Sequence, residues 1–383
     1  MEANRQVELV RRALAHVAAR TTDRDERPTT LPARAYVDEA QYARELQILF
    51  RESPIPVAHA SQLAAPGDFV THDLTGVPLL IVRGDDGALA GFLNVCRHRG
   101  TRVEGAACGK GKKGFVCPYH AWSYGRDGRL LAMTHAHGFE GVERESRGLV
   151  RVPVTEAGGL VWARASRATS RADEELDAAL GPLADDLLGF GIGSSHVYAP
   201  RTFERSMSWK LAMDVFLETY HLRPTHKNTI YEMFFDNLGL VDRVGPHLRN
   251  LFPKRSIVEL AKEPDAIVGG ALRKHANILF HLFPNTLVLV QPDHAAVISA
   301  WPIAIDRVRM HAYTLVPEPP LSEKARAYWD ANNAILYGAT DEDFAMGESI
   351  QRGLASGANE EIVFGAFEHA LAHFHGEVAR RVG

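Results

Sequence analysis

The chain has 383 residues, of which 46% are hydrophobic and 23% charged, and its formal net charge is −4. This length predicts two domains with separate cores, and the weak negative charge excludes the basic surface that nucleic-acid binding requires. The longest apolar runs, such as residues 77–82, are much shorter than the roughly 20 residues of a membrane span, so no membrane segment is expected. Three cysteines in a chain of this length, and an N-terminus without the apolar core of a secretory signal, predict a cytoplasmic location.

The first 165 residues change from helical to β-rich patterning. Val7, Val10 and Leu14 recur at helical spacing, and a second amphipathic helix is predicted over residues 38–50. From about residue 67 to residue 165, short β-rich runs alternate with glycine turns. This pattern predicts a small all-β domain that follows an N-terminal helical segment.

The remainder of the chain predicts a larger domain of helices and strands. An acidic helix is expected over residues 172–188, and a longer helix opens near Ser206 and stops at Pro224. The pattern is helical again from about residue 322 to residue 380. Between these helices, three β-rich runs predict an antiparallel meander: residues 286–291, 295–305 and 307–317. The fold class is therefore α+β, with helices packed over an antiparallel sheet in the larger domain.

The β-rich region contains two short motifs that each combine a cysteine with a histidine. They are Cys96-Arg97-His98 and, after a gap of eighteen residues, Cys117-Pro118-Tyr119-His120. Two thiolates on one iron and two imidazoles on the other form a [2Fe-2S] cluster with a higher reduction potential than an all-cysteine cluster. Tetrahedral zinc is the alternative, but zinc motifs usually pair like ligands, so the spacing favours the cluster. Cys108, in the intervening loop, is interpreted as a bystander thiol.

Residues 109–114, GKGKKG, match the G-x-G-x-x-G pattern of dinucleotide-binding loops. That loop functions only between a strand and the N-terminus of a helix, whereas here a strand and a cluster ligand follow. We interpret the segment as a hairpin loop whose lysines could dock an acidic electron donor.

A second possible metal site lies at the end of the helix that opens near Ser206, in the sequence FLETYHLRPTH. His221 and His226 would diverge on an unbroken helix, but Pro224 ends the helix and lets His226 fold back. Two histidines and one carboxylate on one face of an iron leave open the positions that dioxygen chemistry requires, although ordinary histidines at this spacing are common. The acids Asp341, Glu342 and Asp343 are the carboxylate candidates, and each could instead be a charge at a helix N-terminus.

The order of these motifs resembles the alpha subunits of Rieske ring-hydroxylating oxygenases. The resemblance covers roughly residues 40–354 and rests on the two cluster motifs, Ser208-Trp209-Lys210, FLETYHLRPTH and EDFAMGESIQRGL. It implies an N-terminal helical segment over residues 1–45 that packs on the catalytic domain, a Rieske [2Fe-2S] domain over 46–165, and a catalytic mononuclear-iron domain over 166–383.

The resemblance also assigns roles to individual side chains. One cluster iron would be held by Cys96 and Cys117, and the other by His98 and His120. The mononuclear iron would be held by three ligands: His221, His226 and Asp343. Glu218 would be the acid that links an iron-ligating histidine to a cluster histidine of the neighbouring subunit, which implies a homotrimer.

An oxygenase of this kind would take electrons from NADH or NADPH through a separate reductase, and possibly a ferredoxin, and would use dioxygen on a small organic substrate. Glu218 stands where the ring-dihydroxylating branch usually has Asp, and together with the compact length it favours hydroxylation or oxidative demethylation. The alternatives are cis-dihydroxylation of an aromatic ring and, from a different class of protein, a Rieske electron carrier without catalytic activity.

The catalytic candidates besides the metal ligands are the acids Glu218 and Asp214. A substrate pocket is expected over the two histidines, and its predicted lining residues are Phe216, Phe283, Asn285 and Trp301. Packing in the core would equally explain the aromatic members of this set.

Overall fold

The computed structural model describes residues 1–167, 180–262 and 271–383. Backbone contacts divide the chain into a larger unit, Met1–Glu45 with Asp185–Gly383, and a smaller unit, Leu46–Ala184. The described helices are Ala3–Ala19 (α1), Glu39–Gln47 (α2), Leu183–Gly189 (α3), Trp209–Asp214 (α4), Leu222–Thr225 (α5), Ala271–His275 (α6), Glu323–Ala355 (α7) and His369–Val382 (α8). Within these residues, no helix is both long enough and apolar enough to cross a membrane.

The strands are numbered in chain order in both units. The first twelve are Thr29–Pro32 (β1), Ile55–His59 (β2), Phe69–Leu74 (β3), Val77–Arg83 (β4), Leu89–Leu93 (β5), Cys108–Gly109 (β6), Phe115–Val116 (β7), Ser123–Tyr124 (β8), Leu130–Ala132 (β9), Arg151–Val152 (β10), Val154–Ala157 (β11) and Leu160–Ala163 (β12). The others are His196–Arg205 (β13), Leu240–Val244 (β14), His247–Pro253 (β15), Ala276–Leu282 (β16), Thr286–Val290 (β17), Ala295–Ala304 (β18), Arg307–Val316 (β19) and Glu361–Phe364 (β20).

The described residues of the smaller unit form three antiparallel sheets, with the strand orders β10-β5-β4-β3-β6, β11-β12-β2 and β7-β8-β9. Its core includes the fully buried rings of Phe92, Phe115 and Tyr124, which pack in one cluster with Cys96 and Cys117. The prediction of a small β domain around the cysteine motifs is confirmed.

The larger unit is built on an antiparallel sheet of seven strands, in the order β13-β19-β18-β17-β16-β15-β14. The predicted meander corresponds to β17, β18 and β19, which are consecutive neighbours in this sheet. An α+β fold with helices over an antiparallel sheet is therefore confirmed.

Strand register assigns the side chains of this sheet to two faces, because successive residues alternate. Phe252 pairs with Asn277, and Leu279 lies two residues further along β16, so these three residues share what we call the Leu279 face. Helix α8 packs on the Leu279 face, where the ring centroids of Phe374 and His281 lie 5.1 Å apart.

The opposite face, which we call the Arg249 face, binds α1 through a buried group of charges. Asp242 accepts hydrogen bonds from Arg12 at 2.8 Å, from Arg249 at 2.9 Å and from Arg5 at 3.1 Å. Burial alone would raise the pKa of Asp242, but the surrounding guanidinium groups lower it below the ordinary value of 3.8. This carboxylate therefore ties the N-terminal helix to the sheet.

The prediction of one continuous helix that stops at Pro224 is wrong. The structure has two shorter helices, α4 and α5, and residues 215–221 separate them. Glu218 accounts for the break, because its carboxylate accepts hydrogen bonds from the backbone amides of Tyr220 and His221 and competes with helical carbonyls. Pro224 lies inside α5, in a first turn where the residue needs no amide hydrogen bond.

The C-terminal region also differs from its prediction. One continuous helical stretch was expected, but α7 ends at Ala355, β20 then pairs with β1, and α8 follows. Gly357, with a φ of 71°, adopts the left-handed conformation that turns the chain after α7. An acidic helix was predicted over residues 172–188. The structure has α3 in this region, which begins at Leu183, and residues 172–179 lie outside the described part of the chain.

The charge group on the Arg249 face can be tested with Asp242→Asn. This change deprives the buried Arg249 guanidinium of one carboxylate partner, so the unfolding free energy at pH 7 should fall by about 3 kcal/mol in urea titrations. Folding lowers the pKa of Asp242, so its contribution is present above pH 3.8 and is lost as the pH falls below that value. The difference from the wild type should therefore shrink steadily as the pH falls below 3.8.

The matched control is Asp236→Asn, because Asp236 forms an exposed ion pair with Arg223. Its expected loss is under about 0.5 kcal/mol at every pH. Equal losses for the two variants would contradict the role given to Asp242.

Candidate metal centres

Two loops of the smaller unit present the cysteine and histidine motifs with the same backbone hydrogen bonds. In each loop the cysteine amide donates to the carbonyl five residues on, at 2.8 Å for Cys96 and 2.9 Å for Cys117. The amide four residues on donates back to the cysteine carbonyl, at 2.9 and 3.0 Å. That donor has a positive φ in both loops, 85° at Gly100 and 57° at Ala121. The fold thus builds two equivalent ligand-bearing loops from the two motifs.

The four side chains form a sulfur pair and a nitrogen pair. Cys96 and Cys117 are both buried, and burial raises the pKa of the Cys117 thiol, with the neighbouring Cys96 sulfur adding to the rise. Nδ1 of His98 lies 3.1 Å from Nδ1 of His120. The His98 ring also stacks on Trp122, with centroids 4.9 Å apart, which fixes its orientation.

The two pairs do not converge on one point, and this separates a cluster from zinc. A tetrahedral zinc ion, at about 2.3 Å from thiolates and about 2.0 Å from imidazoles, keeps all four donors within about 4 Å of one another. Among the described residues, one group of at least three possible metal ligands has all its donor atoms within 4.8 Å of one another. None of these four side chains belongs to that group. A sulfur pair beside a nitrogen pair fits the two irons of a Rieske cluster.

The group that does converge lies in the larger unit. Nε2 of His226 is 2.9 Å from Oδ1 of Asp343, and Nε2 of His221 is 3.4 Å from the same oxygen. This oxygen is buried and, within the described residues, has no hydrogen bond of acceptable geometry. A cation held by the three side chains would satisfy it. Two imidazoles and one carboxylate on one face are the donor set of non-haem ferrous sites.

Each imidazole is held from behind by a second carboxylate. Nδ1 of His221 contacts the carboxylate of Glu218, and Nδ1 of His226 lies 2.7 Å from Oε2 of Glu342. Thr229 donates a hydrogen bond of 2.8 Å to Glu342 and fixes that acid in turn. A carboxylate at Nδ1 keeps the proton on that nitrogen, so that Nε2 can bind a metal.

These carboxylates also set the charge of the two rings. Burial opposes a charge on His221, but Asp343 and Glu218 raise its pKa to about 10. Burial again opposes the charge on His226, whose pKa is raised by Asp343 and Glu342. Metal binding here must displace a proton, and a divalent cation would compensate the same carboxylates.

The three adjacent acids of α7 have three different partners. Asp341 pairs with Arg205, Glu342 holds the rear of His226, and Asp343 faces both imidazoles. Successive residues of a helix point about 100° apart, so only one of the three can face the histidines directly. The interpretation of these acids as charges at a helix N-terminus is wrong, because they lie in the middle of a helix of 33 residues. The position of Glu342 behind His226 was not predicted. The sequence feature that could have indicated it is that Glu342 directly precedes Asp343.

An apolar cavity of about 90 Å³ opens beside the two histidines. The segment after α4 contributes Phe216 and Phe234 to its wall, and the Leu279 face of the sheet contributes Phe252 and Leu279. Helix α7 closes the cavity with side chains at helical spacing, which are Leu336, Ala339, Thr340 and Asp343. The two histidines and Asp343 therefore line the same cavity as these apolar side chains.

Phe216 is the one predicted pocket residue that lines this cavity. Leu289 of the cavity wall pairs with Ala296, so Ala296 lies on the Leu279 face of β18. Trp301 is five residues further along the strand, and because side chains alternate it lies on the Arg249 face. Phe283 and Asn285 belong to the β16–β17 connection, about 13 Å or more along the strand from Leu279. Alternation and hairpin position therefore place these three predicted pocket residues away from the lining of this cavity.

Asp214 lies apart from the cavity lining, in a buried hydrogen-bond network. Tyr36 donates to it at 2.6 Å, and Nε2 of His375 lies 2.9 Å from its other oxygen. Burial raises the pKa of Tyr36, and Asp214 adds to the rise. The network joins the end of α4 to α8, so the structure gives Asp214 a position that supports the fold of the site.

Family models match both halves of the chain. The Rieske [2Fe-2S] domain matches residues 53–143, and the catalytic domain of the ring-hydroxylating alpha subunit matches residues 193–383. The chain belongs to the Rieske-type ring-hydroxylating oxygenases. It is an oxygenase subunit, in which a [2Fe-2S] cluster passes electrons to a mononuclear iron, and it works with a reductase and a small-molecule substrate.

Individual relatives are similar to this chain over most of its length. The carnitine monooxygenase oxygenase subunit of Escherichia coli K12 is 27% identical over 92% of this chain and 93% of its own length. The chloroplastic choline monooxygenase of Beta vulgaris is 27% identical over 90% of this chain and 75% of its own. A solved structure of the quaternary ammonium Rieske monooxygenase CntA with L-carnitine superimposes with a TM-score of 0.78 at 25% identity, covering 92% and 96% of the two chains.

The adjacent acids of α7 provide a test of the site geometry. Glu342→Ala removes the carboxylate behind His226, and we expect the affinity of the chelator-treated protein for Fe(II) to fall by about 10- to 100-fold. Asp341→Ala, which removes the neighbouring acid from the same helix, should leave the Kd unchanged within about twofold, because its ion pair with Arg205 is exposed. Equal Kd values for the two variants would refute an orienting role for Glu342.

Proposed function

We propose that His221, His226 and Asp343 hold the mononuclear iron. The observation that carries this proposal is the meeting of two Nε2 atoms at one buried, unbonded carboxylate oxygen in the wall of an apolar cavity. The two loops of the smaller unit support a cluster held by their four cysteine and histidine side chains, with sulfur on one iron and nitrogen on the other: Cys96 and Cys117, then His98 and His120.

The residues of the chain would contribute to the reaction by position and by charge. When bound, the mononuclear iron supplies the open positions at which dioxygen is reduced. Glu218 and Glu342 keep the imidazole protons on Nδ1, so both Nε2 atoms stay available as ligands. Phe216, Phe234 and Phe252 exclude water from the side of the site where the substrate would lie.

We propose a small quaternary ammonium compound as the substrate. The cavity presents aromatic side chains and, among its described lining residues, no Lys or Arg, so a methylated cation would meet rings and carboxylates instead of like charge. Relatives that act on carnitine and choline support this class. One oxygen atom would enter a C–H bond next to nitrogen, and the other would leave as water with two electrons and two protons. The hydroxylated carbon would then separate as an aldehyde from the amine.

The electrons would come from NADH or NADPH through a separate cytoplasmic reductase. We further propose a homotrimer, in which Glu218 connects His221 to a cluster histidine of the neighbouring subunit. Its contact with Nδ1 of His221, on the side of the ring away from Asp343, supports this role. We also propose the boundaries 1–45, 46–165 and 166–383 for the N-terminal segment, the Rieske domain and the catalytic domain.

Iron analysis distinguishes the oxygenase from a Rieske electron carrier. The wild type should contain about three irons per chain, whereas a carrier would contain about two. Asp343→Ala should lose the mononuclear iron and turnover while keeping the visible and EPR spectra of the reduced cluster. Full turnover by this variant would remove Asp343 from the site.

Oxygen labelling distinguishes monooxygenation from ring dihydroxylation. With a reductase, NADH and ¹⁸O₂, a quaternary ammonium substrate such as choline should yield an amine and an aldehyde, and the labelled water should account for one oxygen atom per turnover. NADH-driven oxygen uptake with naphthalene as the comparison substrate tests the alternative. A cis-diol carrying two labelled atoms would contradict the proposed reaction.

A further inference from the structure

The wall of the cavity contains one amide side chain without a hydrogen-bond partner. Asn277 lines the cavity from β16, between apolar neighbours on the Leu279 face of the sheet. Its Oδ1 atom is buried, and no donor among the described residues reaches it. An unpaired buried amide destabilises a protein, so such a group in a cavity wall points to a bound partner that satisfies it.

A second unpaired amide lies diagonally behind the first. Asn250 is fully buried on β15, and neither its Oδ1 nor its Nδ2 has a partner among the described residues. In the sheet register Asn250 pairs with Leu279 and Asn277 pairs with Phe252, so the two asparagines share the Leu279 face as diagonal neighbours. Both of their register partners line the cavity. The two unpaired amides therefore form a polar patch on this face, beside the cavity.

The connection between β16 and β17 shows how an asparagine with a structural role is satisfied. Asn285 is also fully buried, but its Nδ2 donates to the carbonyl of Ala300 at 3.0 Å, and Thr286 donates to its Oδ1 at 3.2 Å. Asn277 has no comparable side-chain hydrogen bonds among the described residues. Its amide is thus left for a group that is not part of the described chain.

We propose that Asn277 is a specificity-determining residue that hydrogen-bonds to an uncharged polar group of the substrate, such as a hydroxyl. This inference rests on the proposed function, and it selects among quaternary ammonium compounds. A hydroxyl can both donate to Oδ1 and accept from Nδ2, so it satisfies the amide in either orientation. A carboxylate would need a cationic partner, and the described lining contains no Lys or Arg.

The test compares two substrates that differ by one hydroxyl, choline and ethyltrimethylammonium. In the wild type, kcat/KM for choline should exceed that for ethyltrimethylammonium by about tenfold, the value of one good hydrogen bond. Asn277→Leu keeps the size of the side chain and removes the amide, so the ratio should fall to about one. The loss should come from choline, while ethyltrimethylammonium is used as well as before or better.

Leu279→Met is the matched control, because it changes the shape of the same cavity without changing its hydrogen bonds. It should alter kcat/KM for both compounds by the same factor and keep their ratio. An unchanged ratio in Asn277→Leu would overturn the proposal.

Thermal unfolding separates the proposal from a structural role of the amide. Because Asn277→Leu replaces an unpaired amide by an apolar group, its Tm should equal or exceed that of the wild type. A lower Tm together with an unchanged substrate ratio would mean that the amide only binds a structural water, and would overturn the proposal.

A wrong substrate class and a wrong role for Asn277 would give different results. If the wild type turns over neither compound, the substrate class under the proposed function is wrong, and the ratio is then taken from the Kd values of the two compounds by calorimetry. Equal Kd values, or no binding of either compound, would overturn the role of Asn277.

Discussion

The chemistry of this chain depends on the orientation of two imidazole rings. Glu218 and Glu342 hold their Nδ1 atoms, so the Nε2 atoms of His221 and His226 both point at Oδ1 of Asp343. A free imidazole rotates about two bonds and exchanges protons between its nitrogens, which would scatter the ligand atoms. With three carboxylates around two rings, the site carries excess negative charge that only bound protons or a cation can balance.

The local fold and the site geometry share one cause at Glu218. Its carboxylate accepts the backbone amides of Tyr220 and His221, which ends the helical path after α4, and it also contacts Nδ1 of His221. The break in the helix and the direction of the imidazole are therefore set by the same side chain. Asp214, at the end of α4, secures the other end of this segment through Tyr36 and His375.

The sequence was sufficient for the fold class, the β domain around the cysteine motifs and the meander of the large sheet, because these depend on local periodicity and turn residues. It was insufficient where side chains from distant segments meet. The helical pattern predicted from about residue 322 already placed Asp341, Glu342 and Asp343 far from a helix N-terminus, but it could not show which of them faces the histidines. Composition does not state which sheet face a residue takes, so it could not show that Phe283, Asn285 and Trp301 lie away from this cavity. Asn277 gave no signal until the strand register was known.

Helix α7 supplies both the carboxylate at the histidines and a wall of the cavity, along one stripe that runs from Leu336 through Ala339 and Thr340 to Asp343. Because the carboxylate sits on a regular backbone many turns long, exchanging the other members of the stripe need not move it. Selection, in nature or in laboratory evolution, could therefore reshape what the enzyme accepts by point changes one or two turns away, while the oxidising chemistry is inherited intact.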